Sequence, residues 1–360
     1  MLSRLDVIFH IGKTAPTDLL GAENLKISNL VVAGAVLLLV ANSAQAHHGF
    51  TAHFDPDNII RIEGTVKEFE FVNPHSYLRI DTFDDSGNPI VYTCDLQAKN
   101  QLVRRGADET LFTIGEHIII EGFQARRDPL GCEFGVGYFD DGTTYTMRSL
   151  GAASTQFATD IEVTREESSI FGVWIRPGMN GDASGRGPSS GYDSITEAGL
   201  AALQDYDPIL DHPGVHCRQG SPVRTWGVPG LATSITRVGD NVQIYHESMD
   251  TTRIIHINQT EIPEGIEATD MGYSVGRFDG DDLLIDTSNF GAGVISGSNL
   301  NSAEMSMQER LTVLDNGRLH ISWVLSDPLF YTEQMTGSQT LQPIDQEVIP
   351  YECIPGWIVK

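Results

Sequence analysis

The stretch "AQAHHGF", 44–50, sets two histidines directly behind a small-x-small triplet. Ahead of it runs "ISNLVVAGAVLLLV", 27–40, which is uncharged and preceded by Lys26. Together these predict an export leader cut after Ala46. The cut makes His47 the first residue of the working chain, with a free α-amine beside an imidazole. The amine titrates at about pH 8 and the imidazole at about 6.5, so a metal can displace the remaining protons at neutral pH. Nitrogen donors suit Cu(II) best among common divalent ions, which makes copper the candidate cofactor.

A third nitrogen would complete a T-shaped site. His75, in "NPHSY" where Pro74 stiffens the chain, is the first choice, and His53 is the second. His48 follows His47 at once, and its backbone hinders its ring from turning to the same ion. The alternative is plain: two adjacent histidines form a solvated chain end, and His75 donates to a backbone carbonyl.

Other strings carry less. "FDGDD" (278–282) and "FDDG" (139–142) lack the spacing of a calcium loop and read as hairpin turns. Glu68, Glu70, Asp95 and Glu133 are strand acids that the sequence leaves unpaired. "GYSVG" (272–276) has nucleophile-elbow letters but begins a strand, so Ser274 reads as a bystander. "GRGPSSG" lacks the lysine and following helix of a phosphate loop. His212, His216 and Cys217 crowd "DHPGVHC", where a disulfide beside solvated histidines is favoured over zinc. Trp226, Trp323 and Phe330 read as core. No catalytic residue is assigned.

The elements that position these residues are mostly strands. Residues 60–71 alternate apolar and polar. "SYLRIDTFD", the turn "DDSGNP" and "IVYTCDL" continue as a hairpin, and 97–106 is a short helix closed by Gly106. Strands return in "EHIIIEGFQARR" and "CEFGVGYFDDGTTYTMR". This order predicts a small OB-like barrel, with a β-sandwich as the rival. A glycine- and serine-rich stretch follows, holding an apolar "FGVWIRPG" and a helix at "SITEAGLAALQDYD" with capping-box spacing at Ser194 and Glu197. Beyond it, consecutive hairpins about Met249-Asp250, 279–282 and Asn316-Gly317 predict an antiparallel β-meander, barrel-like or sandwich. The expected organisation is a leader at 1–46, an OB-like β domain at 47–150, a linker with a short helix at 151–205, and an antiparallel β domain at 206–360. The fold class is mainly β.

Charge narrows the partners. The 360 residues carry 49 Asp plus Glu against 23 Lys plus Arg, net −26. Removing the first 46 leaves 46 acids and 20 bases, so the imbalance belongs to the exported part. Such a field repels phosphates, which argues against nucleic acid. The apolar run is shorter than the roughly 20 residues of a membrane span. The expected location is periplasmic or secreted, with no stable span after processing; an uncleaved N-terminal helical anchor is the alternative. Four cysteines, 94, 132, 217 and 353, show no CxxC spacing. Pairing 94 with 132 and 217 with 353 would staple each half in an oxidising compartment, though four free thiols stay open.

"AHHGFTAHFDPDNIIRIEGTVKEFEFVNPHSYLRID" resembles an uncharacterised family of exported bacterial proteins. Its members begin their mature part Ala-His-His-Ser, continue with Phe-Asp before a G-x-V strand, and then show Asn-Pro-His-Ser. His47, His48, Phe54, Asp55, Gly64, Val66, Asn73, Pro74, His75 and Ser76 match, while Gly49 replaces the serine and His53 lies outside the motif. "LVRRG" and "TIGEHIIIEG" also fit. The second half resembles a companion region through "YDP", "DHPGVHC", "GYSVGRFDGDDLLIDTSNF" and "SDPLFYTEQ", with Phe278 and Asp282 where Trp and Thr are usual. The resemblance implies export and β architecture, and no activity.

Three readings follow. One is a periplasmic binding or accessory protein, copper-linked through His47, with a small ligand or an envelope protein as partner. Another is a metal-free structural or interaction protein of the cell envelope. The third is an exported enzyme of unknown reaction working in a cleft between the two domains.

Overall fold

In a computed structural model of the protein, residues 50–147, 169–176, 194–207, 210–297 and 299–355 are described. His47, His48 and the apolar run 27–40 lie outside the described residues. Among the described residues, no helix is long and apolar enough to cross a membrane.

The N-terminal region opens with a single helical turn, α1 (Phe50–His53), and then the long strand β1 (Phe54–Glu70). It continues through β2 (Tyr77–Phe83), β3 (Pro89–Asp95), α2 (Lys99–Arg104), β4 (His117–Ala125), β5 (Gly131–Phe139) and β6 (Thr144–Thr146). β1 serves two neighbours because bulges re-aim it, one between Phe54 and Ile59 against β4 and one between Val66 and Glu68 against β2. Its inward positions, with those of β2, β4 and β5, bury Ile62, Val66, Leu78, Ile80, Ile118, Ile120 and Phe134 in one core.

The C-terminal region is built from β7 (Gly172–Ile175), α3 (Glu197–Asp205), α4 (Pro222–Gly227), β8 (Ala232–Val238), β9 (Asn241–His246), β10 (Thr251–Ile257), β11 (Tyr273–Asp279) and β12 (Asp282–Ser288). The hairpin β13 (Gly293–Ser296) and β14 (Asn299–Asn301) precedes β15 (Ser306–Val313), β16 (Leu319–Ser326) and β17 (Met335–Pro343). Strict period-two burial marks these strands: in β16 Leu319, Ile321, Trp323 and Leu325 face the core, and in β15 Met307, Glu309 and Leu311 do.

Closure corrects the fold expected from sequence. The N-terminal sheet is six-stranded, in the order β3-β2-β1-β4-β5-β6, and is not the closed OB-like barrel. It curls until β3 meets β5 over three parallel pairs, 93–95 with 131–133, and β6 runs on past that contact as an edge. The closed barrel is the C-terminal one, with nine strands in the order β10-β11-β12-β15-β16-β17-β7-β8-β9. It is neither a sandwich nor a pure meander, since β10 and β11 pair in parallel. Its closing strand β7 comes from "FGVWIRPG" and sits antiparallel between β17 and β8. Alternation tells which residues face inward, but not which edges meet.

Both disulfides, Cys94–Cys132 and Cys217–Cys353, are formed. The helix α3 starts two residues later than the Ser194 spacing suggests: Thr196 is its N-cap and its hydroxyl accepts from the Gly199 amide at 3.1 Å. Gly106 ends α2 as expected, with φ of 84°.

The described residues belong to one compact unit, and the tail after β17 is the joint within it. Asn100 of α2 donates to the carbonyls of Ile349 (3.0 Å) and Pro350 (3.3 Å) and accepts from the Asn73 amide at 2.9 Å. The Asn73 side chain also donates to the Tyr351 carbonyl, and Ile354 N donates to Asn73 O at 2.9 Å. Arg104 forms a buried ion pair with Glu247, beside the barrel strand β9. On the barrel side Asp250 accepts from the amides of Tyr351 (2.8 Å) and Glu352 (3.0 Å), and Cys353 is bound to Cys217.

Candidate functional site

The histidine face is built on the disulfide Cys94–Cys132. Both sulfurs point into the core, where the two residues are almost wholly buried. Alternation therefore turns the next residues, Asp95 and Glu133, to the opposite face, and register pairs them side by side. Gly122 of β4 lets β5 pack closely at Glu133, because a Cβ there would overlap the Glu133 carbonyl.

His75 reaches Asp95 from the loop between β1 and β2. Its Nδ1 lies 2.7 Å from Asp95 Oδ1. The loop is pinned on both sides: Ser76 N donates to Gln97 O at 3.2 Å, Leu96 N donates to Ser76 O at 2.8 Å, and Asn73 holds the tail. Burial opposes protonation of His75. The charge and hydrogen bond of Asp95 outweigh it, with help from Glu133 and the Leu96 backbone, so the pKa lies above the ordinary histidine value. The His75 side chain stays 36% exposed, enough for its far edge to meet a ligand. A carboxylate on Nδ1 fixes the tautomer and, when the ring is neutral, directs the Nε2 lone pair outward, as in histidines that ligate metals.

His53 ends α1. It is held in place through its carbonyl, which accepts from Arg126 N at 2.8 Å, and through the packing of Phe50 on Phe123 at 4.9 Å, edge to face. Burial lowers the His53 pKa; Asp95 works against this, while His75 and Arg127 add to it. The charge of Asp95 thus acts on both histidines, and His75 is hydrogen-bonded to it as well. Phe123 pairs in register with Glu133, so the start of the described chain packs beside the same carboxylates.

Of the expected metal residues, His75 is paired with Asp95, and the charges of both reach His53; His47 and His48 lie outside the described residues. Among the described residues no group of three His, Cys, Asp or Glu side chains is arranged to hold a metal ion. The sequence left Asp95 and Glu133 unpaired. Their signal was position: each directly follows one of the paired cysteines.

The barrel holds a second polar group, wholly inside. Arg253 forms a buried ion pair with Glu309, and its guanidinium also donates to Ser274 Oγ (2.9 Å) and Thr287 Oγ1 (2.7 Å). Trp226 Nε1 donates to Glu309 Oε1 at 2.8 Å. Ser274 is therefore a structural acceptor. His246 lies alongside, 1% exposed, with Nδ1 2.8 Å from Thr233 Oγ1 and its ring edge-on to Trp226 at 4.6 Å. Burial, and secondarily Arg253, push its pKa down to about 3. The Arg253–Glu309 pair, with its bonds to Ser274, Thr287 and Trp226, is satisfied and stabilises the barrel, while His246 Nε2 has no partner among the described residues.

Near Cys217, His212 caps a 3-10 turn by accepting from Gly214 N at 3.2 Å, and His216 Nε2 lies 2.8 Å from Leu210 O. Both histidines serve the backbone beside a disulfide. Two cavities, of about 510 and 310 Å³, are lined by C-terminal residues alone.

Residues 35–132 match a family of unknown function (DUF6152), a stretch that takes in His53, His75, Asp95 and both ends of the first disulfide and stops short of the barrel. No curated protein matches the chain.

Proposed function

We propose that this is an exported binding or accessory protein whose N-terminal sheet holds copper through the amine and imidazole of His47, completed by His75 and flanked by His53. The observation that carries the reading is the His75–Asp95 pair with His53 beside it. His53, whose pKa burial lowers, is a ready nitrogen donor, and His75, whose Nδ1 is held by Asp95, becomes one when a metal displaces its proton. Cleavage after Ala46 would add two more. Only His48 and Gly49 separate His47 from Phe50, a reach of at most about 10 Å. His48 is the weakest of the four candidates, for the backbone reason already given.

The test is a Cu(II) titration of protein beginning at His47, beside the same protein carrying one extra N-terminal alanine. The expected result is tight binding, mostly lost in the extended form, with nitrogen hyperfine structure in the electron paramagnetic resonance spectrum. His75→Gln should remove one nitrogen from that spectrum. Asp95→Ala should lower affinity about 10–100-fold through loss of orientation. Equal weak binding by both N-terminal forms would retire the copper reading in favour of a metal-free envelope protein. A natural N-terminus still carrying the apolar run would do the same.

A further inference from the structure

A cleft of about 310 Å³ opens beside the barrel and shares no residue with the histidine face. Four segments meet there: the end of α3, the 3-10 turn Pro213–His216, the loop that precedes β11, and the β13–β14 hairpin. Its walls include Ala202, Val294, Leu300 and Phe330, which give it an apolar body. The volume is at the small end for an organic ligand, about 300–1,000 Å³.

The ionisable lining decides which ligand. Arg218 is the basic group among the lining residues, and Asp270 takes it in a fork, Nε to Oδ2 at 3.2 Å and Nη2 to Oδ1 at 2.7 Å. Asp205 and Asp211 face no such basic partner in the lining. An anion would meet a guanidinium already engaged and two carboxylates. A cation would meet the carboxylates with its charge and the apolar walls with its body. Tyr206, at the end of α3, stays a neutral hydroxyl: burial raises its pKa to about 12, against the opposing effect of Arg224. The chain's net charge of −26 adds a field of the same sign.

We infer that this cleft binds a small organic ammonium ion with an apolar or aromatic body.

Gly293 supplies a clean block. A Cβ there would meet nothing nearer than Asp270 Oδ1 at 3.5 Å and Asn301 Oδ1 at 3.6 Å, which is ordinary contact, and the position lies in a strand where valine is at home. Gly293→Val should therefore fold and narrow the cleft. The experiment titrates the full exported chain at low ionic strength with tryptamine and with indole-3-propionate, which share a ring body and differ in the sign of their charge. Calorimetry gives affinity, and backbone amide shifts give location. Tryptamine should bind at least tenfold tighter than the acid, with shifts centred on the β13–β14 hairpin. Gly293→Val, at unchanged melting temperature, should weaken it tenfold or more. Asp205→Asn with Asp211→Asn should weaken it several-fold and flatten its salt dependence. Equal affinity for the two probes, no binding of either at millimolar concentration, or full binding by Gly293→Val would each overturn the inference. If Gly293→Val melts early, the double Asp→Asn variant and the location of the shifts decide it.

Discussion

The two β regions place their polar groups on opposite sides of their sheets. The N-terminal sheet packs an apolar core and a disulfide inside, and turns His75, Asp95, His53 and Glu133 outward. The barrel puts Arg253, Glu309, Ser274, Thr287 and His246 inside its wall. Outward groups still feel burial, as the pKa shifts of His75 and His53 show, but His75 keeps part of its ring in contact with solvent. Inward groups must satisfy one another, and the barrel does so with a fully engaged ion pair beside an imidazole held neutral by burial. The first arrangement leaves polar groups at the surface, where the proposed copper site would form, whereas the second holds a closed structure in one register.

The sharpest way to break this contrast is Glu309→Ala. Removing the carboxylate leaves the Arg253 guanidinium charged inside the barrel and takes the acceptor from Trp226 Nε1. A cost of about 3–5 kcal/mol is expected, read as a fall in the urea midpoint. The exposed counterpart, Glu63→Ala beside His117, should cost under about 1 kcal/mol. Equal effects would show that the barrel pair is hydrated, and the contrast would fall.

The next effect is that of pH. His246 has its pKa lowered in the folded state to about 3, by burial first and by Arg253 second. Its Nε2 has no hydrogen-bond partner among the described residues. Below pH 6.5 the unfolded chain takes up a proton that the folded barrel refuses. The His246 contribution is therefore intact above 6.5 and lost as pH falls toward 3, by about 3 kcal/mol at pH 4. Many carboxylates also titrate there, so the measurement is a difference: stability from pH 7 to pH 4 for the protein and for His246→Gln. The variant should lose less stability over that window. Parallel curves would mean that His246 is not held neutral.

Strand content and hairpin turns were legible because each has a local cause, alternation and glycine or asparagine at a turn, whereas the cysteine pairing stayed open until the structure showed it. Barrel closure was not legible. β7 is four residues inside a glycine- and serine-rich stretch, and nothing in "FGVWIRPG" says which two edges it joins. The role of Ser274 was hidden for a similar reason, since its partner Arg253 lies across a parallel pairing with a 15-residue crossover, 258–272. At the histidine face, His75 was named from its Asn-Pro-His-Ser context and His53 from residue type. Their common carboxylate was out of reach, because Asp95 is set against them by a sheet curl that no local pattern encodes.

The smallest effect tests whether the two regions behave as one body at all. The joint is a side-chain lattice on the tail, with Asn100 at its centre. Asn100→Ala removes one acceptor and two donors from a buried site and leaves Asn73 and the Ile349 carbonyl short of partners, at a cost of about 1–3 kcal/mol. Where that cost falls can be read separately. The tryptophans are at 174, 226, 323 and 357, so their fluorescence reports the C-terminal region, while no tryptophan lies in the N-terminal sheet. Amide exchange of β1 and β4 reports that sheet. In the unaltered protein the two probes should unfold together, because Arg104–Glu247, the Asn73–Asn100 lattice and the Cys217–Cys353 tether all cross the joint. In Asn100→Ala the exchange of β1 should rise at denaturant concentrations where tryptophan fluorescence is still native. The His75 loop should loosen with it, since Asn73 stands two residues away and loses one of its two side-chain acceptors, the other being the Tyr351 carbonyl. Coincident transitions in the variant would mean that the ion pair and the disulfide carry the joint alone, and that the pinned loop owes nothing to the tail's amide lattice.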